Sequence, residues 1–168
     1  MLTQRDFAVK WSVYALFALL FTFLCSFTLS RITLLRVIPF LPPVLLAVIC
    51  SFEPNLQGVI FGIVYGVLCD LALPGAFPFL YTLTFAISAA VILVLSNSVL
   101  QPGFFRALCC TLVAFLIVDL FAGAAVLIAG RASFAAVVLL FARETLVSLI
   151  LLPPCALVFF FVHRLFTV

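Results

Sequence analysis

Long apolar runs alternate along this chain with short clusters of Pro, Gly, Ser and Arg. A bilayer core of roughly 30 Å needs about 20 helical residues. On that measure, residues 11–29, 56–73, 77–95 and 104–129 each predict one membrane helix. Residues 30–36, with Arg31 and Arg36, read as a polar hinge. Residues 51–55 and 96–103 read as loops, and 130–133 as a tight turn. Pro74 and Gly75 end the glycine-containing run.

Two segments break this regularity. Residues 37–50 are short and carry Pro39, Pro42 and Pro43. A proline inside a helix removes a backbone hydrogen bond, whereas one near its start is tolerated. Two geometries fit. A helix can start near Ile32, with Arg36 reaching the interface, or a short or re-entrant helix can begin near Leu41. The short span is the expectation. Residues 134–162 exceed one bilayer thickness and contain Pro153–Pro154. They predict one long kinked helix, or a surface helix followed by a span from about Thr145. The expected architecture is an all-α membrane bundle of six spans, with five as the alternative, occupying residues 1–168 as one domain.

Composition agrees with that pattern. Of 168 residues, 68% are hydrophobic and 8% charged, and the mean hydropathy is +1.53. A soluble domain has too little polar surface to cover so much apolar side chain. The sequence therefore reads as an integral membrane protein. The first run has no clear A-x-A cleavage site and reads as a retained span rather than a signal. The +3 formal charge is scattered, so neither a nucleic-acid stripe nor a polybasic lipid patch is expected. With the N-terminus inside, Arg5, Lys10, Arg106 and Arg164 fall on the inner side, and Arg31, Arg36 and Arg131 on the outer. Arg143 is assigned to neither, and the balance favours that orientation only mildly.

The cysteines at 25, 50, 69, 109, 110 and 155 form no CxxC pair and read as small buried hydrophobes. His163 is the single histidine, so no metal cluster and no cofactor are expected. No nucleophile–histidine pair is evident, and the sequence reads as non-enzymatic. An intramembrane aspartyl protease would need paired carboxylates, and GVLCD precedes Leu71 where such proteases carry GxGD.

The polar residues that remain are few. Gly58, Gly62, Gly66 and Asp70 recur every four residues, so on a helix they share one face. Glycine faces allow close backbone approach between membrane helices. The stripe reads as a packing or partner interface ending in an acid near the membrane surface. Asp119 lies deep in an apolar run, where an ionisable group is costly and needs a partner. Arg143 matches its depth if the helices on either side of Gly130 are antiparallel, which predicts an Asp119–Arg143 ion pair. Glu144 points about 100° away from Arg143. Glu53, beside Pro54, reads as a loop and helix-start element.

The run EPNLQGVIFGIVYGVLCDLALPGAFPFLYTL resembles the rod shape-determining protein MreD family. The resemblance lies in a glycine-containing span ending in Asp70, a short Pro/Gly turn at Pro74 and Gly75, and a following span. Total length and the proline-bearing second and final segments also fit. GAFPF departs from the usual Gly-Pro-Leu-Gly type of turn. The resemblance implies a non-enzymatic scaffold of the bacterial inner membrane. It implies an MreC-like single-span partner, and a cell-wall machinery of actin-like filament, glycosyltransferase and transpeptidase. That family is also similar to the six-helix substrate-binding subunits of energy-coupling-factor vitamin transporters, which supply the alternative function.

Overall fold

The computed structural model describes residues 4–27, 39–73, 77–98, 103–130 and 132–166. These residues form seven helices and no strand. In chain order they are α1 (Gln4–Phe27), α2 (Pro42–Phe52), α3 (Leu56–Ala72), α4 (Leu80–Ser98), α5 (Phe104–Ile128), α6 (Phe134–Leu149) and α7 (Leu152–Phe166). The expected hinge with Arg31 and Arg36, the Pro74–Gly75 break and Arg131 lie outside the described residues, as do the side chains of Arg5, Cys25 and His163. Leu80–Ser98 and Phe104–Ile128 are each long and apolar enough to cross a membrane. Phe134–Leu149 and Leu152–Phe161, bent by 44° across a short break, make a third such unit if taken together.

α2 occupies the centre. Every residue from Pro42 to Ser51 is buried, and α2 packs against α3, α4, α5 and α7. At 11 residues it is about 16 Å long, roughly half the thickness of a bilayer core. A start near Ile32 is ruled out, because Pro39 to Leu41 are not helical and Leu41 is the N-cap. The helix is short and begins near Leu41, at the proline pair, as the second of the two geometries has it. A helix start leaves its first N–H groups without intrahelical acceptors. Pro42 and Pro43 have no N–H, so two of these donors do not exist. The same Leu-Pro-Pro sequence opens α7 at Leu152, Pro153 and Pro154. Both helices thus start with fewer donors to satisfy, α2 at a buried proline pair and α7 at an exposed one. The break at Ile150–Leu151 gives a kinked final unit, and Thr145 lies inside α6 rather than at the start of a span.

α3 and α4 form the most extensive helix pair. Gly58, Gly62, Gly66 and Cys69 are all buried on one face of α3, while Ile60, Val64 and Leu71 are exposed on others. A Cβ on Gly66 would lie 2.7 Å from the Thr82 Cα and 2.8 Å from the Tyr81 carbonyl oxygen. On Gly62 it would meet the Ala89 Cβ at 2.8 Å and the Phe85 carbonyl at 3.3 Å. The glycine face is therefore filled by the chain's own α4. Gly58 instead abuts the Glu53 carbonyl after α2, 2.7 Å from where its Cβ would stand. This corrects the expectation of a partner interface there. The stripe has no room for another protein's helix, because α4 and the α2–α3 connection already occupy it.

Substituting Gly66 by Leu must displace backbone rather than a flexible side chain, so a loss of about 1–3 kcal/mol is expected. Val64→Leu, at a site 55% exposed, should stay within about 0.5 kcal/mol of the parent. Unfolding of the two purified variants in detergent checks this, and equal losses would contradict the packing account.

Candidate functional site

Polar side chains gather at the two ends of the helix bundle. At one end the α3–α4 connection brings Asp70 to the start of α4. Its Oδ1 accepts the Tyr81 N–H at 2.9 Å, and its Oδ2 accepts the Thr82 N–H at 2.8 Å and the Thr82 hydroxyl at 2.6 Å. These N–H groups belong to the first turn of α4, where intrahelical acceptors are missing. A carboxylate there also meets the positive end of the helix dipole. Asp70 is thus an N-terminal cap donated by the preceding helix. The glycine stripe brings the two backbones together, and the acid one turn further on fastens them.

The same end holds the start of α2. The Phe40 N–H donates to the Ser148 hydroxyl of α6 at 2.9 Å, and the Phe40 ring packs on Tyr81 at 5.7 Å between centroids. Ser148 is fully buried. It supplies an acceptor just before the proline pair.

At the opposite end, α2 runs out inside the bundle. The Ser51 hydroxyl donates to the Val48 carbonyl at 2.8 Å, and the Glu53 N–H donates to the Ile49 carbonyl at 3.0 Å. The Arg106 guanidinium, from the first turn of α5, donates to the Ser51 carbonyl. Lys10 of α1 forms an ion pair with Glu53, with 5% and 7% of the two residues exposed. The Lys10 ammonium also stands 5.9 Å from the centre of the Tyr14 ring, which packs on Trp11 and Phe159. Asn97, at the end of α4, donates to the Pro54 carbonyl at 3.3 Å. Glu53 is thus more than a loop element: it anchors α1 to the end of α2.

A third contact ties α1 to α3. The Thr22 hydroxyl donates to the Ala18 carbonyl at 2.7 Å, so its single proton is used. Tyr65 must therefore donate its hydroxyl to Thr22, at 2.7 Å. The Tyr65 ring stacks between Phe61 and Phe85, each at 5.7 Å.

The expected Asp119–Arg143 ion pair is not formed. Asp119 accepts a hydrogen bond from the Thr145 hydroxyl at 3.3 Å, and Arg143 is exposed. The reason is rotational phase. Val137 and Phe141 of α6 pack against Gly123 of α5, one turn from Asp119. Val137, Phe141 and Thr145 share one face at four-residue spacing, and Arg143 lies about 160° around the helix from Phe141. Depth matched in the sequence, but direction did not. Glu144, half-buried beside Thr145, lies within electrostatic reach of Asp119.

Four residues that matter here were not singled out as sites from the sequence: Lys10, Arg106, Ser148 and the Tyr65–Thr22 pair's tyrosine. Lys10 and Arg106 stand near the ends of apolar runs, where a basic residue reads as an ordinary flanking charge. Arg106 did carry a signal, since it lies inside the apolar run that starts at Phe104. No His, Cys, Asp and Glu cluster that could hold a metal ion occurs among the described residues. Cys50, Cys69, Cys110 and Cys155 are buried, and Cys109 is half-buried.

Comparison with known proteins finds no matching family model, no similar curated protein and no similar solved structure.

Two outcomes test this arrangement. Asp70→Ala removes three acceptor contacts and should lower stability by about 1–3 kcal/mol, with Asp70→Asn falling between it and the parent. Thermal unfolding of the three proteins in detergent would show that order, and an unchanged Asp70→Ala would refute the cap. Removing one partner of a buried ion pair is costlier than replacing both, so Lys10→Met or Glu53→Met alone should lose about 3–5 kcal/mol. The Lys10→Met/Glu53→Met double variant should be less destabilised than either single one. A double loss equal to the sum of the singles would show that the two residues act independently.

Proposed function

We propose that the chain crosses the bacterial inner membrane six times and serves as a non-enzymatic scaffold in cell elongation. In this reading α1, α3, α4 and α5 each make one pass, α2 is the helical part of a short pass, and α6 with α7 makes the sixth, with the N-terminus inside. The scaffold holds an MreC-like single-span protein and supports lateral peptidoglycan synthesis by a glycosyltransferase and transpeptidase pair guided by an actin-like filament.

One observation carries most of the reading. The segment that resembles the MreD family, from Glu53 to Leu83, folds as a hairpin whose glycine face and terminal acid have a mechanical role. Gly62 and Gly66 admit α4, and Asp70 closes its first turn. The aspartate that marks the resemblance thus fixes geometry rather than presenting a reactive group. Such a hairpin suits a protein that works by holding others at fixed positions. The large exposed side chains of α5 and α6, Leu116, Leu120, Val138 and Leu146 among them, supply surface for lipid or for partner helices.

The alternative, a small-molecule-binding subunit of a vitamin-type transporter, needs a pocket of convergent polar groups. The larger cavities among the described residues are walled mainly by apolar side chains, which favours the scaffold over a polar cargo.

Crosslinking in the native membrane, followed by purification of the tagged chain, separates the two. The scaffold reading expects a single-span protein with a periplasmic coiled coil among the captured partners. An ATPase-containing complex or a retained vitamin would overturn it.

A further inference from the structure

Between the end of α2, the start of α5 and the middle of α7 lies a groove of about 630 Å³. Its walls include the rings of Phe52, Phe104 and Phe160 and the side chain of Leu157. Phe104, Leu157 and Phe160 are 55%, 60% and 47% exposed, so the groove opens outward. Arg106 also lines it, and only 8% of that residue is exposed.

Among the described residues no carboxylate pairs with Arg106. Its contact is with a neutral group, the Ser51 carbonyl. Glu53, the acid closest to Ser51 in the chain, is held by Lys10. A guanidinium presents five N–H donors in a planar fork suited to phosphate, and a carbonyl cannot neutralise its charge. A buried, unneutralised cation is costly in an apolar setting, so an anion arriving there gains more than it would at an exposed arginine. The start of α5 adds to this. Gly103 provides no side-chain cap, and the first turn of a 25-residue helix has N–H groups without intrahelical acceptors and the positive end of its dipole.

We infer that this groove binds an acidic phospholipid, its phosphate on Arg106 and an acyl chain along the phenylalanine and leucine walls. The apolar walls select a lipid over free phosphate, and Arg106, the one cation among the described lining residues, selects an acidic headgroup over a zwitterionic one, whose own ammonium would sit beside it. This inference needs the membrane placement of the chain but not its scaffold role. Its failure would leave the partner-capture result untouched, and the reverse also holds.

The test is native mass spectrometry of the full chain in detergent, with phosphatidylglycerol, phosphatidylcholine or inorganic phosphate added. Phosphatidylglycerol adducts should survive activation that strips phosphatidylcholine. Arg106→Gln should cut phosphatidylglycerol retention by about tenfold, the worth of one charge-assisted hydrogen bond. Leu157→Trp fills the groove from an exposed position, leaves Arg106 in place and should cause a similar loss. It carries the test should Arg106→Gln fail to fold. Arg143→Gln, elsewhere on the surface, should leave retention unchanged. Equal retention of the two lipids, wild-type retention by Leu157→Trp, or displacement of the lipid by equimolar phosphate would overturn the inference.

Discussion

A helix about half as long as a bilayer core is thick, and buried almost throughout, must satisfy its ends from within the protein, and α2 is such a helix. Its 11 residues are buried almost throughout, so its terminal peptide groups cannot rely on bulk water. An unsatisfied buried peptide group costs as much as a lost hydrogen bond or more. The chain meets this in two ways. Pro42 and Pro43 remove donors at the start, and Ser148 accepts the Phe40 N–H just before them. At the far end Arg106 and the Ser51 hydroxyl reach α2 carbonyls, while Lys10 neutralises Glu53 beyond the last turn. Contributions from α1, α5 and α6 thus converge on one central element, which sets where those helices can stand.

The α3–α4 hairpin obeys the same rule by another route. Glycines bring the two helices into backbone contact, and Asp70 supplies acceptors that the first turn of α4 lacks. Most polar side chains that looked like candidate chemistry are therefore fastened to backbone or to each other. Arg106 is the exception that matters: one carbonyl takes one of its donors, and no carboxylate among the described residues balances its charge. A chain built in this way has a fixed interior and an apolar exterior, the properties on which the scaffold proposal draws.

What the sequence made legible was local. Gly58, Gly62, Gly66 and Asp70 repeat at helical spacing, and a helical face can be read without knowing the partner, so the inward-facing stripe was visible. Which helix filled it was not, because nothing in a four-residue repeat distinguishes a neighbour in the same chain from one in another. The Lys10–Glu53 and Arg106–Ser51 contacts link residues 43 and 55 positions apart, and single basic residues at the edges of apolar runs resemble ordinary interfacial anchors. Asp119 and Arg143 show the limit from the other side. Counting from Gly130 gave their depth, but azimuth depends on how α6 rotates, and Phe141 against Gly123 decides that. The proline pairs were legible as breaks, while their use as donor-free helix starts needed the buried position of α2.

Amide hydrogen exchange of the purified chain in detergent tests the central role of α2 most directly. The account predicts that amides from Leu45 to Ser51 exchange among the slowest in the protein, and that Ser148→Ala speeds exchange first in the opening turn of α2. Exchange in α2 as fast as in the exposed outer turns of α6, in the parent protein, would contradict it.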